Sequence, residues 1–119
     1  MAITSLGYIG INSKKLSDWE GFATDLLGMQ KVDQGGAMRL FRMDDRKQRL
    51  IVTGEGEEDL AFIGWEVGSP SDLDALASKL ENAGVAVEWH GASLADQRHV
   101  ARLISFHDPD GNRLEAFCG

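Results

Sequence analysis

Apolar and polar positions alternate with two periods along this chain, and each change of period marks a new element. Residues 4–11 are mostly apolar, with Gly7 and Gly10 among them, the pattern of a buried strand. Ser17-Asp18-Trp19-Glu20 then reads as a capping box, with the Ser17 hydroxyl accepting from a first-turn amide and Glu20 reaching back to the cap amide. Leu16, Trp19, Phe22, Ala23, Leu26 and Leu27 follow at helical spacing, which predicts a core-facing stripe, and Gly28 supplies a left-handed stop. A short strand at 29–32, a Gly35-Gly36 turn, and strands at 37–43 and 49–53 joined by a polar turn at 44–48 complete a β-α-β-β-β unit. Beyond an acidic link at 54–59 the order repeats. A strand at 60–67 and the turn Gly68-Ser69-Pro70 lead into a helix capped at Ser71-Asp72. Leu73, Leu76, Ala77 and Leu80 face the core, Gly84 ends the helix, and a strand at 85–90 precedes a loop running to about Gln97. Strands at 100–106 and 112–117 close the chain as a hairpin about Asp108-Pro109-Asp110-Gly111. Trp65 and Met43 read as core residues.

The repetition extends to the residues. Leu6-Gly7-Tyr8-Ile9-Gly10 returns 54 positions later as Leu60-Ala61-Phe62-Ile63-Gly64, and the same shift carries Ser17-Asp18 onto Ser71-Asp72. Arg39-Leu40 returns as Arg102-Leu103 and Arg49-Leu50 as Arg113-Leu114, with shifts of 63 and 64. Two copies are too few for a solenoid. They fit a domain of two similar halves, whose intervening cleft is a natural ligand site.

Composition narrows the function classes. At 119 residues the chain is expected to form one domain. A formal net charge of −7 argues against nucleic-acid binding, which rests on clustered Lys and Arg. Nothing approaches the ~18-residue apolar run of a membrane span, and no charged segment followed by an apolar run marks a signal peptide. The single cysteine, Cys118, excludes an internal disulfide and fits a reducing cytoplasm. It lies in an apolar strand pattern beside the chain end, a poor setting for a nucleophile.

The short motifs yield little chemistry by themselves. The acidic link reads as a solvated loop. Asp108, Asp110 and Asn112 alternate like a calcium loop, but the position of the closing bidentate Glu falls on Gly119. Gly7-x-x-Gly10 lies in a strand rather than opening a helix, so it is no phosphate cradle. His90, His99 and His107 share no short ligand spacing and read as surface or hydrogen-bonded histidines.

The doubled β-α-β-β-β order, the opening Ser5-Leu6-Gly7-Tyr8 and the closing Phe106-His107-Asp108-Pro109-Asp110-Gly111-Asn112-Arg113-Leu114-Glu115 together resemble the vicinal oxygen chelate superfamily. That group includes glyoxalase I, bleomycin-resistance proteins and type I extradiol dioxygenases. Leu60–Val67, Ser93–Arg98 and the terminal Leu114-Glu115-Ala116-Phe117-Cys118-Gly119 carry a closer resemblance to the N-terminal domain of extradiol enzymes such as 2,3-dihydroxybiphenyl 1,2-dioxygenase. The resemblance covers essentially the whole chain. It implies an α+β fold of two βαβββ modules, 1–55 and 58–119, forming a cupped mixed sheet with helices outside.

The resemblance also implies four ligand positions, which fall here at Tyr8, Ile51, Phe62 and Glu115. Catalytic extradiol domains carry His at the positions of Tyr8 and Phe62 and Glu at that of Glu115, the two-His-one-carboxylate set that oxygen-activating Fe(II) requires. Here Phe62 and Ile51 have no lone pair to offer, and Tyr8 is a poor ligand with an ordinary pKa near ~10. The expectation is therefore a domain with no catalytic, cofactor or metal residues, whose four positions are vestigial. Glu115 is left to bond Tyr8, to pair with an arginine, or to reach solvent. In this reading the chain is the non-catalytic N-terminal half of a ring-cleaving dioxygenase, with Fe(II) and an aromatic diol held by a second domain and the whole a homo-oligomer. The alternative is a stand-alone, metal-free binding protein of the bleomycin-resistance type, working as a homodimer. A single-domain lyase of the glyoxalase type is weaker, because its metal ligands are missing.

Overall fold

The structure, a computed structural model, describes residues 3–32, 38–44, 49–54 and 59–119. The predicted Gly35-Gly36 turn, the turn at 45–48 and the link at 55–58 lie outside the described residues. Contacts divide the chain into two compact units, one of Tyr8–Ala61 and one of Met1–Gly7 with Phe62–Gly119. No helix among the described residues is long and apolar enough to cross a membrane.

The elements run β1 (Ile3–Asn12), α1 (Leu16–Gly21), β2 (Gln30–Val32), β3 (Met38–Arg42), β4 (Leu50–Thr53), β5 (Asp59–Val67), α2 (Pro70–Asn82), β6 (Glu88–Trp89), α3 (Ala92–Arg98), β7 (Arg102–His107) and β8 (Arg113–Cys118). The expected doubled β-α-β-β-β order is present, with α3 added.

In the unit Tyr8–Ala61, β4 runs parallel to β1, with Ile9 beside Leu50 and Gly10 beside Ile51. On its other side β4 is antiparallel to β3, where Leu40 lies beside Ile51, and β3 is antiparallel to β2. Side chains alternate across a strand, so Phe41, Leu50 and Val52 share one face and pack with Ala23, Leu16, Trp19 and Met29. Tyr8, Leu40 and Ile51 share the face turned away from α1.

The helix departs from expectation at both ends. Lys15, not Ser17, is its N-cap, and no side chain caps it. Glu20 is drawn away by Arg39, whose Nε donates to its Oε1 at 2.9 Å, and by Lys31. The Lys31 ammonium, with Arg39 beside it, holds the Glu20 carboxyl below its ordinary pKa. Beyond Gly21 the helix widens into a π-helical turn over Phe22–Leu26, closed by the Leu27 N–H donating to the Phe22 carbonyl at 3.1 Å. A π turn holds more residues than an α turn and so re-aims the side chains after it. Ala23 stays in the core, while Phe22, Leu26 and Leu27 of the predicted core stripe face solvent. Gly28 ends the segment at φ +74°, as predicted. Met43, expected in the core, is also exposed, because it lies just past the end of β3.

The second unit repeats the strand order. β8 runs parallel to β5 and antiparallel to β7, which is antiparallel to β6. Ile63 lies beside Leu114 and Gly64 beside Glu115, the pairs expected from shifting Ile9–Leu50 and Gly10–Ile51 by 54 and 64 positions. The third match slips. Leu40 lies beside Ile51, but Ser105, not Leu103, lies beside Glu115, so the Arg39-Leu40 and Arg102-Leu103 pairs are two residues out of equivalence. An even slip leaves every side chain on its own face.

Val67, Ile104, Phe106, Ala116 and Cys118 form one face of this sheet and pack against Leu73, Ala77, Leu76 and Leu80 of α2. Ser69, two residues before the predicted cap, caps α2. Its Oγ accepts from the Asp72 N–H at 3.2 Å, because Pro70 suits the first helical position. Only Glu88–Trp89 of the predicted strand 85–90 pairs, since Val85 and Val87 pack against the core instead. The predicted loop to Gln97 holds α3, which starts at Gly91 and ends at His99 in the left-handed conformation. The closing turn is as predicted. Asp108 Oδ1 accepts from the N–H groups of Asp110 and Asn112 at 3.0 and 2.8 Å, and Gly111 takes φ +83°.

Thr4 Oγ1 donates to the Glu66 carbonyl and Ser5 Oγ to Glu66 Oε1, which ties the start of β1 into this unit. Gly7 follows, and a Cβ there would overlap the Phe117 ring. Gly7→Ala should therefore destabilise the domain by about 1–3 kcal/mol in urea titration, the usual cost of overpacking a closed core. A second measurement concerns Asp108, whose carboxyl is held below its ordinary pKa by the Asn112 side-chain amide first and by backbone N–H groups of the turn. Its stabilising contribution is present above the ordinary aspartate value of ~3.9 and disappears as pH falls through the folded value. The thermal-stability gap between wild type and Asp108→Asn should thus shrink on acidification, and a gap constant with pH would contradict it.

Candidate functional site

The resemblance points to Glu115, and the register of the second unit defines its surroundings. β8 alternates, so Arg113, Glu115 and Phe117 share the face opposite Ala116 and Cys118, the face turned away from α2. Ser105 on β7 and Gly64 on β5 are its neighbours across the sheet, and Phe62 lies one alternation from Gly64 on that same face.

α3 completes the cluster. Its helix formers follow Gly91, and the left-handed His99 stops it just after Arg98, whose side chain turns onto the sheet and is only 8% exposed. Arg98 Nε donates to Glu115 Oε1 at 2.9 Å and a terminal guanidinium nitrogen donates to Oε2 at 3.0 Å. This planar fork is the strong form of the arginine–carboxylate pair. Arg113 Nε donates to Oε2 at 3.1 Å. The Arg98 carbon Cζ stands 3.9 Å from the centre of the Phe62 ring, within cation–π range. Glu115 itself has no exposed surface. Of the three fates open to it, solvent is excluded and arginine is realised.

The arrangement brings Phe62 and Glu115 together through one guanidinium, with the ring on one side and the carboxylate at its edge. Tyr8 and Ile51 belong to the other unit, where both are buried on the face away from α1. A ferrous ion needs several lone-pair donors in a facial set. Phe62 and Ile51 have none, and both oxygens of Glu115 already accept from cationic nitrogens, so these side chains do not fit the ion.

The histidines stay apart. His90 Nε2 lies 2.7 Å from Ser105 Oγ and 3.8 Å from Glu88 Oε2. A relay triad needs its carboxylate on the other ring nitrogen, so this trio lacks the geometry that activates a serine. His99 ends α3, and His107 lies opposite Arg113 at the end of β7. Among the described residues no group of three or more His, Cys, Asp or Glu could hold a metal ion. Burial raises the Cys118 thiol pKa, which keeps it a thiol rather than a thiolate nucleophile.

Sequence reasoning did not single out Arg98 because it read the segment leading to it, as far as about Gln97, as a loop. The signal was present in Ala92-Ser93-Leu94-Ala95, a run suited to a short helix after Gly91. Arg113 was visible as the repeat partner of Arg49, which in the other unit pairs with Asp44 at 2.8 Å, and as part of the closing motif.

Comparison with known proteins places this geometry. Residues 6–54 match the family model described as "Dihydroxybiphenyl dioxygenase BphC D1". The biphenyl-2,3-diol 1,2-dioxygenase of Sphingomonas paucimobilis is 37% identical over 120 residues, covering 100% of this chain and 40% of the relative. That of Paraburkholderia xenovorans (strain LB400) is 41% identical, with 100% and 40% covered. The 1,2-dihydroxynaphthalene dioxygenase of Pseudomonas sp. (strain C18) is 39% identical, with 99% and 39% covered. Among solved structures, a catechol 2,3-dioxygenase superposes with a TM-score of 0.95 at 40% identity, covering 100% of this chain and 42% of that one. The 2,2',3-trihydroxybiphenyl 1,2-dioxygenase of Sphingomonas wittichii strain RW1 gives 0.91 at 31% identity, with 98% and 41% covered. This chain thus spans about 40% of the length of the relatives it matches. Duplicated modules in the same register, similarity along the whole chain and near-superposable backbones agree: over its whole length the chain is similar to a part of extradiol dioxygenases, enzymes of the vicinal oxygen chelate superfamily.

Proposed function

We propose that this chain is the non-catalytic N-terminal domain of an Fe(II)-dependent extradiol dioxygenase that opens the ring of a 2,3-dihydroxybiphenyl-like catechol in aromatic-compound degradation. Modules 1–55 and 58–119 form one domain that serves as scaffold. Fe(II) and the aromatic diol are held by a second domain or subunit, and the complete enzyme is a cytoplasmic homo-oligomer. One observation carries the reading. The carboxylate at the one mapped position that keeps a metal-binding side chain is fully buried and forked by Arg98, whose guanidinium lies on Phe62. A side chain supplies the positive charge there, so the domain holds its carboxylate without an ion. Relatives named as biphenyl-2,3-diol and dihydroxynaphthalene dioxygenases extend well beyond the portion this chain matches, which leaves room for the catalytic domain.

The purified chain, reconstituted anaerobically with ferrous salt and desalted, should retain no stoichiometric iron. It should also form no yellow ring-fission product from 2,3-dihydroxybiphenyl. Iron retained with turnover would overturn the reading. The coding frame past Gly119 should continue into a second duplicated domain with His at the positions matching Tyr8 and Phe62, and a stop codon there would also count against it.

The pair itself can be tested by stability. Breaking a buried ion pair on one side strands a charge and costs about 3–5 kcal/mol, whereas replacing both partners by apolar groups is often near neutral. Arg98→Met and Glu115→Leu should each lower the unfolding free energy by about 3 kcal/mol. Arg98→Met combined with Glu115→Leu should recover most of the loss. Simple addition of the two losses would show that the fork is not the coupled unit described here.

A further inference from the structure

We propose that residues 91–100, α3 with its two ends, form a latch that opens as a unit while the sheet stays folded, and that the seat Arg98 leaves binds small planar cations of the guanidinium or amidinium type. The backbone on either side of this segment is tied to the sheet. The His90 N–H donates to the Leu103 carbonyl at 3.2 Å, and the Ala101 N–H to the Cys118 carbonyl at 3.0 Å. Between those ties burial is slight. Of the α3 residues only Ala95 and Arg98 are buried, no side chain caps the helix, and its seven residues are too few to be helical alone. Both ends suit a hinge. A Cβ built on Gly91 would meet nothing within 4 Å, and His99 is, among the described residues, the only one other than glycine at positive φ, +57°. That left-handed conformation crowds a side chain against its own carbonyl, a strain relieved when the segment lifts. Lifting also returns two buried charges to water, which offsets much of the attraction lost with the fork. α2, with its Ser69 cap and its buried Leu73 and Ala77, has no comparable release.

The seat is built by the sheet and not by α3. Glu115 is placed by β8 and held at Oε2 by Arg113 Nε at 3.1 Å, and Phe62 is placed by β5, which pairs with β8. When Arg98 swings out, a carboxylate edge remains beside an aromatic face. Together they select shape as well as charge. Two parallel N–H donors match the two carboxylate oxygens, as Arg98 matches them at 2.9 and 3.0 Å. A flat cation lies on the ring, as the Arg98 Cζ does at 3.9 Å from its centre. An ammonium ion meets the carboxylate only as a strongly hydrated point charge. A urea has the shape but not the charge that a buried carboxylate requires. Arg98 is thus a resident ligand, exchangeable for a solute of its own head-group chemistry. The latch is independent of the ring-cleavage reading, and the failure of either leaves the other standing.

Native-state hydrogen exchange of this chain should show the amides of Ala95, His99 and Val100, which bond within the segment, exchanging at least ~tenfold faster than those of Ala77 and Ala116. Their exchange should also respond less to denaturant than global unfolding does. In the wild type, millimolar methylguanidinium should capture the open latch and speed exchange at His99 and Val100 by about threefold or more, leaving Ala77 unchanged. Methylammonium and N-methylurea at the same concentration should do neither. In Arg98→Ala, methylguanidinium should raise the melting temperature saturably, and adding Glu115→Leu should abolish the rise. Exchange of the α3 amides only through global unfolding, or no difference between methylguanidinium and methylammonium in the wild type, would overturn the proposal. A folded Arg98→Ala that methylguanidinium leaves no more stable would do the same.

Discussion

A carboxylate with no exposed surface must be given positive charge within its own shell, and in this domain the Arg98 guanidinium supplies it. An isolated buried carboxylate would cost many kcal/mol or take up a proton. A metal ion and a guanidinium are two solutions to the same problem, and they place different demands on neighbouring residues. A ferrous ion needs further lone-pair donors around it, whereas a guanidinium needs a planar fork and tolerates an aromatic ring against its face. Phe62 satisfies the second demand and cannot satisfy the first. The identities at positions 62, 98 and 115 are thus mutually consistent, and each makes sense only beside the others.

α3 exists in relation to that pair. It is a short helix with a glycine start and a left-handed stop, too short to be stable alone. Its last turn is held to the sheet by the Arg98 fork, while Ala95 is buried beneath it. The other module places Ile51 at the position equivalent to Glu115 and has no buried charge there to satisfy. The two halves share a strand register but differ in this polar centre, and they differ again in their first helices. α2 buries its apolar stripe, whereas the π turn after α1 exposes part of the matching one.

Much of the architecture was legible because it rests on local, periodic information. Strand alternation, the glycine stops at Gly28 and Gly84 and the Asp108–Gly111 turn follow from backbone sterics within a few residues. The repeat at 54 and 64 positions gave the parallel pairing of β1 with β4 and of β5 with β8, because matched residues in matched modules share a register. Caps were legible in kind but not in place. Ser17 and Ser71 are equivalent positions one residue inside their helices, and what surrounds each helix start decided the rest: Pro70 favoured Ser69 as cap, while Arg39 and Lys31 took Glu20.

What the chain determined by itself was the doubled order of elements and the apolar side chains at Ile51 and Phe62, which have no lone pair to offer a metal wherever they lie. Only the tertiary structure decided what Glu115 does instead, because its partner is 17 residues away in sequence and reaches it through a helix whose short, weakly periodic run resembled a loop. It also decided which way the first helix turns its apolar residues. One wider turn re-aims every side chain after it, while Ala23 inside that turn stays packed with Phe41, Leu50 and Val52.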